Sequence, residues 1–228
     1  MRQLLLDWGG TRPPTLESFV VGRNEELAAM LGRIARHDLS APDQRFVTLW
    51  GEAGAGKTHL LCGLAATANA RYLTAEQPVR SFAWSPDIAL YLLDDCDRLG
   101  EEQQIAAFAL YNQVRESGGM LVAAANLPPA GLKLREDLRT RLAWGLVYQV
   151  HGLTDEEKID ALSRSADARG LVLSPGVLPY LLTHFRRDMP SLSAMLDALD
   201  RYSLETQRPI TMPLLRELLQ LGDAQTTS

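Results

Sequence analysis

Cysteine is scarce: Cys62 and Cys96 are the only two in 228 residues, far apart and in no C-x-x-C spacing. A disulfide framework is therefore not the organising principle, and a reduced, cytoplasmic chain is expected. The four histidines (His37, His59, His151, His184) lack H-E-x-x-H or Cys/His ligand spacing, which argues against a metal site built from side chains alone. No run approaches the roughly 18 apolar residues of a membrane span. The apolar start RQLLLDW is broken by Asp7 after three leucines, too short for the 7–15 apolar residues or so of a secretory signal. Positive charge is also in deficit, with a net charge of −5. That excludes binding of DNA through overall charge, though not through a local patch. What remains is ordinary globular composition, 46 % hydrophobic and 22 % charged, in a chain long enough to bury a sizeable core unaided.

The apolar residues are organised in five short runs: FVTLW (46–50), RYL (71–73), IALYLL (88–93), MLVAAA (120–125) and LVYQV (146–150). Patterns that can hold helices separate the later runs, residues 101–116 for example. Continuous apolar strands alternating with helices predict a parallel sheet covered on both faces. Ahead of the first strand, Asn24 is placed to N-cap a helix carrying Leu27, Met30, Leu31 and Ile34 at helical spacing. After Val150 the pattern changes. Thr154-Asp155-Glu156-Glu157 fits a capping box and Gly170 a helix stop. Ser174-Pro175, Asp188-Met189-Pro190 and Thr211-Met212-Pro213 all read as helix starts. LVLS after Gly170 reads as a connection. The expected domains are a tail over 1–15, an α/β domain over 16–151, a small helical domain over 152–221 and a frayed end over 222–228.

One motif carries chemistry. GEAGAGKT (51–58) matches G-x-x-x-x-G-K-[ST] and sits between a strand and an apolar helix, the context that motif requires. Small residues let backbone N–H groups curl around phosphate oxygens, and the helix N-terminus favours their charge. Lys57 is expected to reach the β and γ phosphates and the Thr58 hydroxyl to hold Mg²⁺. The third strand ends in Asp94 and Asp95, at the edge where ligands bind in open α/β sheets. Asp94 fits a partner of Mg²⁺, directly or from one layer out, and Asp95 a group that orients a water; a pair of exposed acids is the plain alternative. Asn126 ends the fourth strand at the same edge, although Asn-Leu-Pro-Pro is equally a good turn.

With these residues in place, the chain resembles the AAA+ nucleotide-binding proteins of the DnaA type, and within them the Hda family of DnaA inactivators. The resemblance covers nearly the whole chain and implies an α/β P-loop NTPase fold, a parallel five-stranded sheet between helices followed by an all-α lid. FVVGRNEELAAM (19–30) is similar to the segment that packs against the adenine, which implicates Val20 and Val21. GEAGAGKTHLL is similar to Walker A, implicating Gly51, Glu52, Ala53, Gly54, Ala55, Gly56, Lys57, Thr58 and His59. LYLLDDCD resembles Walker B, and Asn126 falls at the sensor I position. REDLRTRLAWG (135–145) resembles Box VII, which makes Arg141 the arginine finger, a residue supplied to a neighbour's nucleotide. From spacing alone Arg141 would read as a solvated arginine among Glu136, Asp137 and Arg139.

Two departures stand out. Pro190 occupies the usual place of the sensor II arginine, with Arg186 and Arg187 on the other side of the helix start. Asp95 stands where many AAA+ ATPases have Glu, although DnaA-type proteins often have Asp. Both leave intrinsic hydrolysis open. The helix-turn-helix domain that follows the lid in DnaA has no counterpart here, so sequence-specific DNA binding by this chain is not expected.

The resemblance implies a negative regulator of replication initiation that binds ADP or ATP with Mg²⁺. It would dock on ATP-bound DnaA and supply Arg141 to that protein's site. Self-association, as a homodimer or larger, is a further expectation. The tail fits the same picture: Gln3, Leu4, Leu6, Asp7 and Trp8 are similar to the short motif by which Hda proteins bind the DNA polymerase III β sliding clamp. Gln3 can hydrogen-bond at a pocket rim while Leu4, Leu6 and Trp8 fill apolar subsites, on the flexible linker GGTRPP. The alternative for the tail is packing on the protein's own core. Two rival functions remain: a self-contained AAA+ ATPase that loads or remodels a helicase, and a non-catalytic adaptor.

Overall fold

Five apolar runs form one parallel sheet: β1 Phe46–Trp50, β2 Ala70–Leu73, β3 Leu90–Leu93, β4 Met120–Ala125 and β5 Leu146–Gln149. Their order is β2-β3-β4-β1-β5, with every pairing parallel. The computed structural model describes residues 13–67, 69–185, 187–206, 210–213 and 215–216. These fall into two compact units, Pro13–Gly152 and a second beginning at Leu153.

The sheet belongs to the first unit, with α1 Glu25–Ala35, α2 Lys57–Ala65, α3 Glu101–Ser117 and α4 Glu136–Trp144. Alternate strand residues point to opposite faces, and both faces are buried. Val47, Leu49, Leu90, Leu92, Val122 and Ala124 pack with Leu27, Leu31 and Ile34 of α1 and Leu60, Leu61 and Leu64 of α2. Phe46, Tyr91, Leu93, Leu121, Ala123 and Ala125 pack with Leu110, Tyr111 and Val114 of α3 and Leu138 and Leu142 of α4. Two covered faces explain why β1, β3 and β4 read as unbroken apolar runs rather than as alternating ones, whereas β5 leaves Val147 and Gln149 exposed. Thr48 is the buried polar exception, and its hydroxyl donates to the Leu142 carbonyl at 2.7 Å.

The predicted cap of α1 is in place but works differently. Asn24 occupies the N-cap position and makes no side-chain capping bond. Its amide instead donates to the carbonyls of Val21 (3.0 Å) and His151 (2.9 Å), and its Oδ1 accepts the His151 N–H at 2.8 Å. A buried side chain (3 % exposed) thus ties the segment before α1 to His151, two residues past β5.

The second unit is helical: α5 Asp155–Asp167, α6 Val177–His184 and α7 Met189–Thr206. Leu162, Leu178, Leu181, Leu192, Leu196 and Leu199 form its core with Ile210 and Leu215. The capping box at Thr154 is present, with Thr154 accepting from Glu157 N–H and Glu157 accepting from Thr154 N–H. Asp188 accepts the Ser191 N–H at 2.9 Å, as a start at 188–190 requires. The expected Ser174-Pro175 start is displaced. Gly176 holds the N-cap position at φ +88°, so α6 begins at Val177 and Pro175 lies in the turn before it. A left-handed step is cheap only for Gly, and it sets the helix entry here. The connection after Gly170 carries one isolated bridge, Leu173 to Ile210. Among the described residues, no helix is long and apolar enough to cross a membrane.

Asn24→Ala should lower the unfolding free energy by about 1–3 kcal/mol, because it leaves the His151 N–H and carbonyl without their partner, while the Val21 carbonyl keeps the Asn24 backbone N–H. Asn24→Ser, able to restore part of the set, should fall between, as read from chemical denaturation midpoints at constant slope.

Candidate functional site

The sheet order decides what meets at the C-terminal edge. β3, β4 and β1 are consecutive neighbours, so the residues that follow them are brought together. After β1 the chain turns through 51–56 into α2, with Gly54 and Gly56 at φ +81° and +103°. Gly51 is required by space, since a Cβ there would collide with the Val150 carbonyl. Lys57 opens α2 and is only 6 % exposed. Its ammonium donates to the Gly51 carbonyl (2.8 Å), the Glu52 carbonyl (2.9 Å) and Asn126 Oδ1 (3.1 Å). Burial pulls its pKa down, while Asp95, Asp94 and Asp97 pull it back up. The first N–H groups of α2 lack intrahelical acceptors, so loop and helix end together suit a phosphate.

Asp94 is buried, 3 % exposed. The Tyr72 hydroxyl, from β2, donates to its Oδ2 at 2.5 Å, and the Asp95 N–H donates to its Oδ1 at 3.0 Å. Burial and the Asp94 carboxylate push the Tyr72 phenol far above its ordinary pKa, so it remains a donor. Asp95 adopts a left-handed backbone, φ +48°, and its carboxylate meets Arg98 at 3.4 Å. Thr58 is exposed in the first turn of α2. Thr58 and Asp94 are hard oxygen donors, and two lone-pair sites of the Asp94 carboxylate remain open. They fit Mg²⁺, which takes few protein ligands and completes its shell with water and phosphate oxygens. Among the described residues, no group of three or more His, Cys, Asp or Glu forms a protein-only cage.

Two residues that sequence reasoning missed organise this edge. Asp97 accepts the Asn126 N–H at 3.2 Å and its Nδ2 at 2.7 Å. Asn126 is therefore held between a carboxylate and the Lys57 ammonium. Phe19 lies against Gly56, where an added Cβ would be 2.8 Å from the ring. The half-buried Val20 and Val21 follow in the same segment. His59 anchors this segment. Its Nε2 lies 3.1 Å from the Ser18 hydroxyl and 3.0 Å from the Thr15 carbonyl, and its ring lies 5.8 Å from that of Phe19. Ala53 and Gly54 are exposed at the loop tip, as is Glu52, while Ala55 is buried.

Arg141 has no contact with the loop among those recorded for it. It lies on α4 with its guanidinium 5.6 Å from the centre of the Phe108 ring. Its Nε is buried without a hydrogen-bond partner among the described residues. The nearby carboxylate of Asp137 is taken by Arg135, at 3.0 and 3.3 Å. An open groove of about 650 Å³ is lined by Phe108, Arg135, Glu136, Asp137, Thr140 and Arg141. Behind it, burial pushes the Tyr111 phenol up to about 12, opposed by the charges of Arg141 and Arg115.

The family described as "Hda, lid domain" matches residues 155–219. An uncharacterised protein of Haemophilus influenzae is 35 % identical over 224 residues, covering 91 % of this chain and 94 % of that protein. The chain belongs to the Hda family of DnaA-homologous AAA+ proteins. Solved structures agree on the fold. Domain III of DnaA from Thermotoga maritima superimposes with a TM-score of 0.71 at 20 % identity, covering 92 % of this chain and 98 % of that one. AMPPCP-bound DnaA from Aquifex aeolicus gives 0.64 at 20 % identity, over 82 % of this chain and 65 % of that one.

Within this Hda-family chain, Lys57 and Asn126 meet directly, and Asp94 and Asp95 lie close enough to act on the Lys57 charge. Gln3, Leu4, Leu6, Asp7 and Trp8 lie outside the described residues. Asp97 could have been suspected from its place three residues after Asp94. Tyr72 carried no such signal, because its partner is 22 residues away. Tyr72→Phe removes a donor from a buried carboxylate and should cost about 1.5–3 kcal/mol of stability, measured by denaturant unfolding.

Proposed function

We propose that this protein is a regulator of replication initiation that acts on the initiator DnaA by completing DnaA's ATPase site. The observation that carries this reading is Arg141. A guanidinium supported by the Phe108 ring at an open groove, with its neighbouring carboxylate already taken by Arg135, is charge held ready for an outside anion. An arginine supplied to a neighbour's phosphoryl group stabilises the charge spread over that group in the transition state and raises its rate by about 10³–10⁵. The residue acts in trans, so the product is ADP-bound DnaA and the regulator itself is unchanged.

The loop 51–58 has its own task in this reading. It binds ADP or ATP, with the loop N–H groups and Lys57 holding the phosphates and the segment at Val20 and Val21 beside the base. Thr58 and Asp94 hold Mg²⁺, whose chemistry when bound is to neutralise phosphate charge. Nucleotide binding by the DnaA of Aquifex aeolicus on the same fold supports this assignment. Gln3, Leu4, Leu6, Asp7 and Trp8 dock on the DNA polymerase III β sliding clamp, which places the activity where a clamp sits on DNA. Clamp and DnaA engaged together raise the effective concentration of one for the other without any new contact. A self-contained helicase loader is supported less, because the Asp95 carboxylate that would orient water is in an ion pair with Arg98.

Arg141→Ala should leave the unfolding midpoint and nucleotide binding close to wild type. It should reduce stimulated hydrolysis of DnaA-bound ATP by about 10³-fold or more, in a reconstituted assay with DNA-loaded clamp. Normal stimulation by this variant would sink the arginine mechanism. Removal of residues 1–8 should abolish clamp binding in a pull-down or surface-binding measurement and leave the melting temperature unchanged. Retained clamp binding would show that the tail is not the docking element.

A further inference from the structure

The sheet has a second edge, opposite the phosphate loop. All pairings are parallel, so the N-terminal ends of β1, β3 and β4 meet there. A groove of about 450 Å³ opens at that edge, within the range of ligand sites, about 300–1,000 Å³. Trp84 and Ile88 line it and pack against the core beneath α3 and α4. Leu39 and Met120, also in the lining, pack with the core of α1 and α2. The apolar part of the groove is thus anchored in both cores of the α/β unit.

The polar part carries positive charge. Arg45, just ahead of β1, donates one N–H to the Gly118 carbonyl at 3.2 Å. That bond orients the guanidinium and uses one of its five donors. Among the described residues, Arg45 makes no ion pair, and no acidic residue lines the groove. His37 adds an imidazole from the turn after α1. The His37 N–H donates to the Ile34 carbonyl at 3.0 Å and the Asp38 N–H to the Arg33 carbonyl at 2.9 Å, the pairing that closes a helix on a left-handed residue. Gly is usual at that position, because a Cβ is costly there. Here the residue is His37, at φ +56°. A side chain kept at that cost and placed in a groove points to a use for it.

The lining selects its ligand. A guanidinium recognises an anion through its fork of donors. The surrounding apolar residues call for an apolar group beside that anion. A polyanion such as DNA would meet few cations here and a chain of net charge −5. A peptide with a carboxylate next to an aromatic or aliphatic side chain satisfies both halves. We propose that this groove docks such an acidic, apolar peptide segment of a partner protein, with Arg45 and His37 on the carboxylate and Trp84 beside the apolar side chain. The site shares no lining residue with the groove at Arg141 and lies across the sheet from Lys57.

The test is a nuclear magnetic resonance titration of the full, isotope-labelled chain, following the Trp84 indole and the amides of Gly118 and Gly119. The probes are the acetylated and amidated tripeptide Phe-Asp-Phe and its neutral counterpart Phe-Asn-Phe. Wild type should bind the acidic peptide saturably and about tenfold more tightly than the neutral one, the scale of one charge-assisted hydrogen bond. Arg45→Gln should bind the two peptides alike, a loss of preference that a purely structural role would not produce. His37→Gly, suited to the left-handed backbone, should keep the melting temperature at or above wild type and weaken the acidic peptide by about threefold or more. No saturable binding by wild type, equal binding of the two peptides, or a preference kept in Arg45→Gln overturns the proposal. So does a DNA duplex that shifts the same signals at lower concentration than the acidic peptide. If Arg45→Gln does not fold by thermal melting, the two peptides on wild type decide alone.

Discussion

The Lys57 ammonium sits almost out of water against three oxygens, and the arrangement of the α/β unit follows from keeping it there. A buried cation without partners would lose its proton or unfold its surroundings. Two of the oxygens are carbonyls of the loop that Lys57 itself terminates, and the third is Asn126 at the tip of β4. Supplying that third oxygen requires β4 to run beside β1. The carboxylates that oppose desolvation require β3 to run beside β4. The acids bring donors of their own: Tyr72 for Asp94, Arg98 for Asp95 and Asn126 for Asp97. Charge is thus compensated pairwise outward from one lysine.

The segment ahead of α1 is bound to this centre by polar contacts and by Leu16 and Phe19, which pack against the core of α1 and α2. His59 holds Thr15 and Ser18, Phe19 lies against Gly56, and Asn24 joins Val21 to His151. A chain stretch with little regular structure gains a defined position because each of these groups has a partner on a rigid element. Arg141 shows the opposite design. Its helix is fixed to the sheet through Leu138, Leu142 and the Thr48–Leu142 hydrogen bond, while its guanidinium has a ring beneath it and, among the described residues, no ion pair. A rigid support carrying an unsatisfied charge is suited to meeting a partner in one geometry.

Much of the fold was legible because its signals are local. The central strands were visible as apolar runs, since both faces of β1, β3 and β4 are covered. The phosphate loop was visible because strand, glycines, lysine and helix are contiguous. Thr154 and Glu157 are three residues apart, so their reciprocal capping could be read directly. Legibility failed where a side chain had a choice. Asn24 has the chemistry of a helix cap and the position of one, but His151 offers it three-dimensional partners that outcompete the helix end. Ser174-Pro175 carries a proper start signal, yet the left-handed turn at Gly176 moves the helix two residues on.

By itself the sequence determined the strand and helix content, the phosphate-type loop and the family, because each rests on residues adjacent along the chain or at a fixed period. Only the tertiary structure decided which way the Asn126 amide points, which donors hold Asp94 and whether Arg141 is paired. Those outcomes depend on partners drawn together by sheet order from up to 69 residues away. A hydrogen bond or ion pair is chosen by distance and angle among all groups that the fold brings within reach. Spacing along the chain carries no information on that competition once the partners lie on different strands.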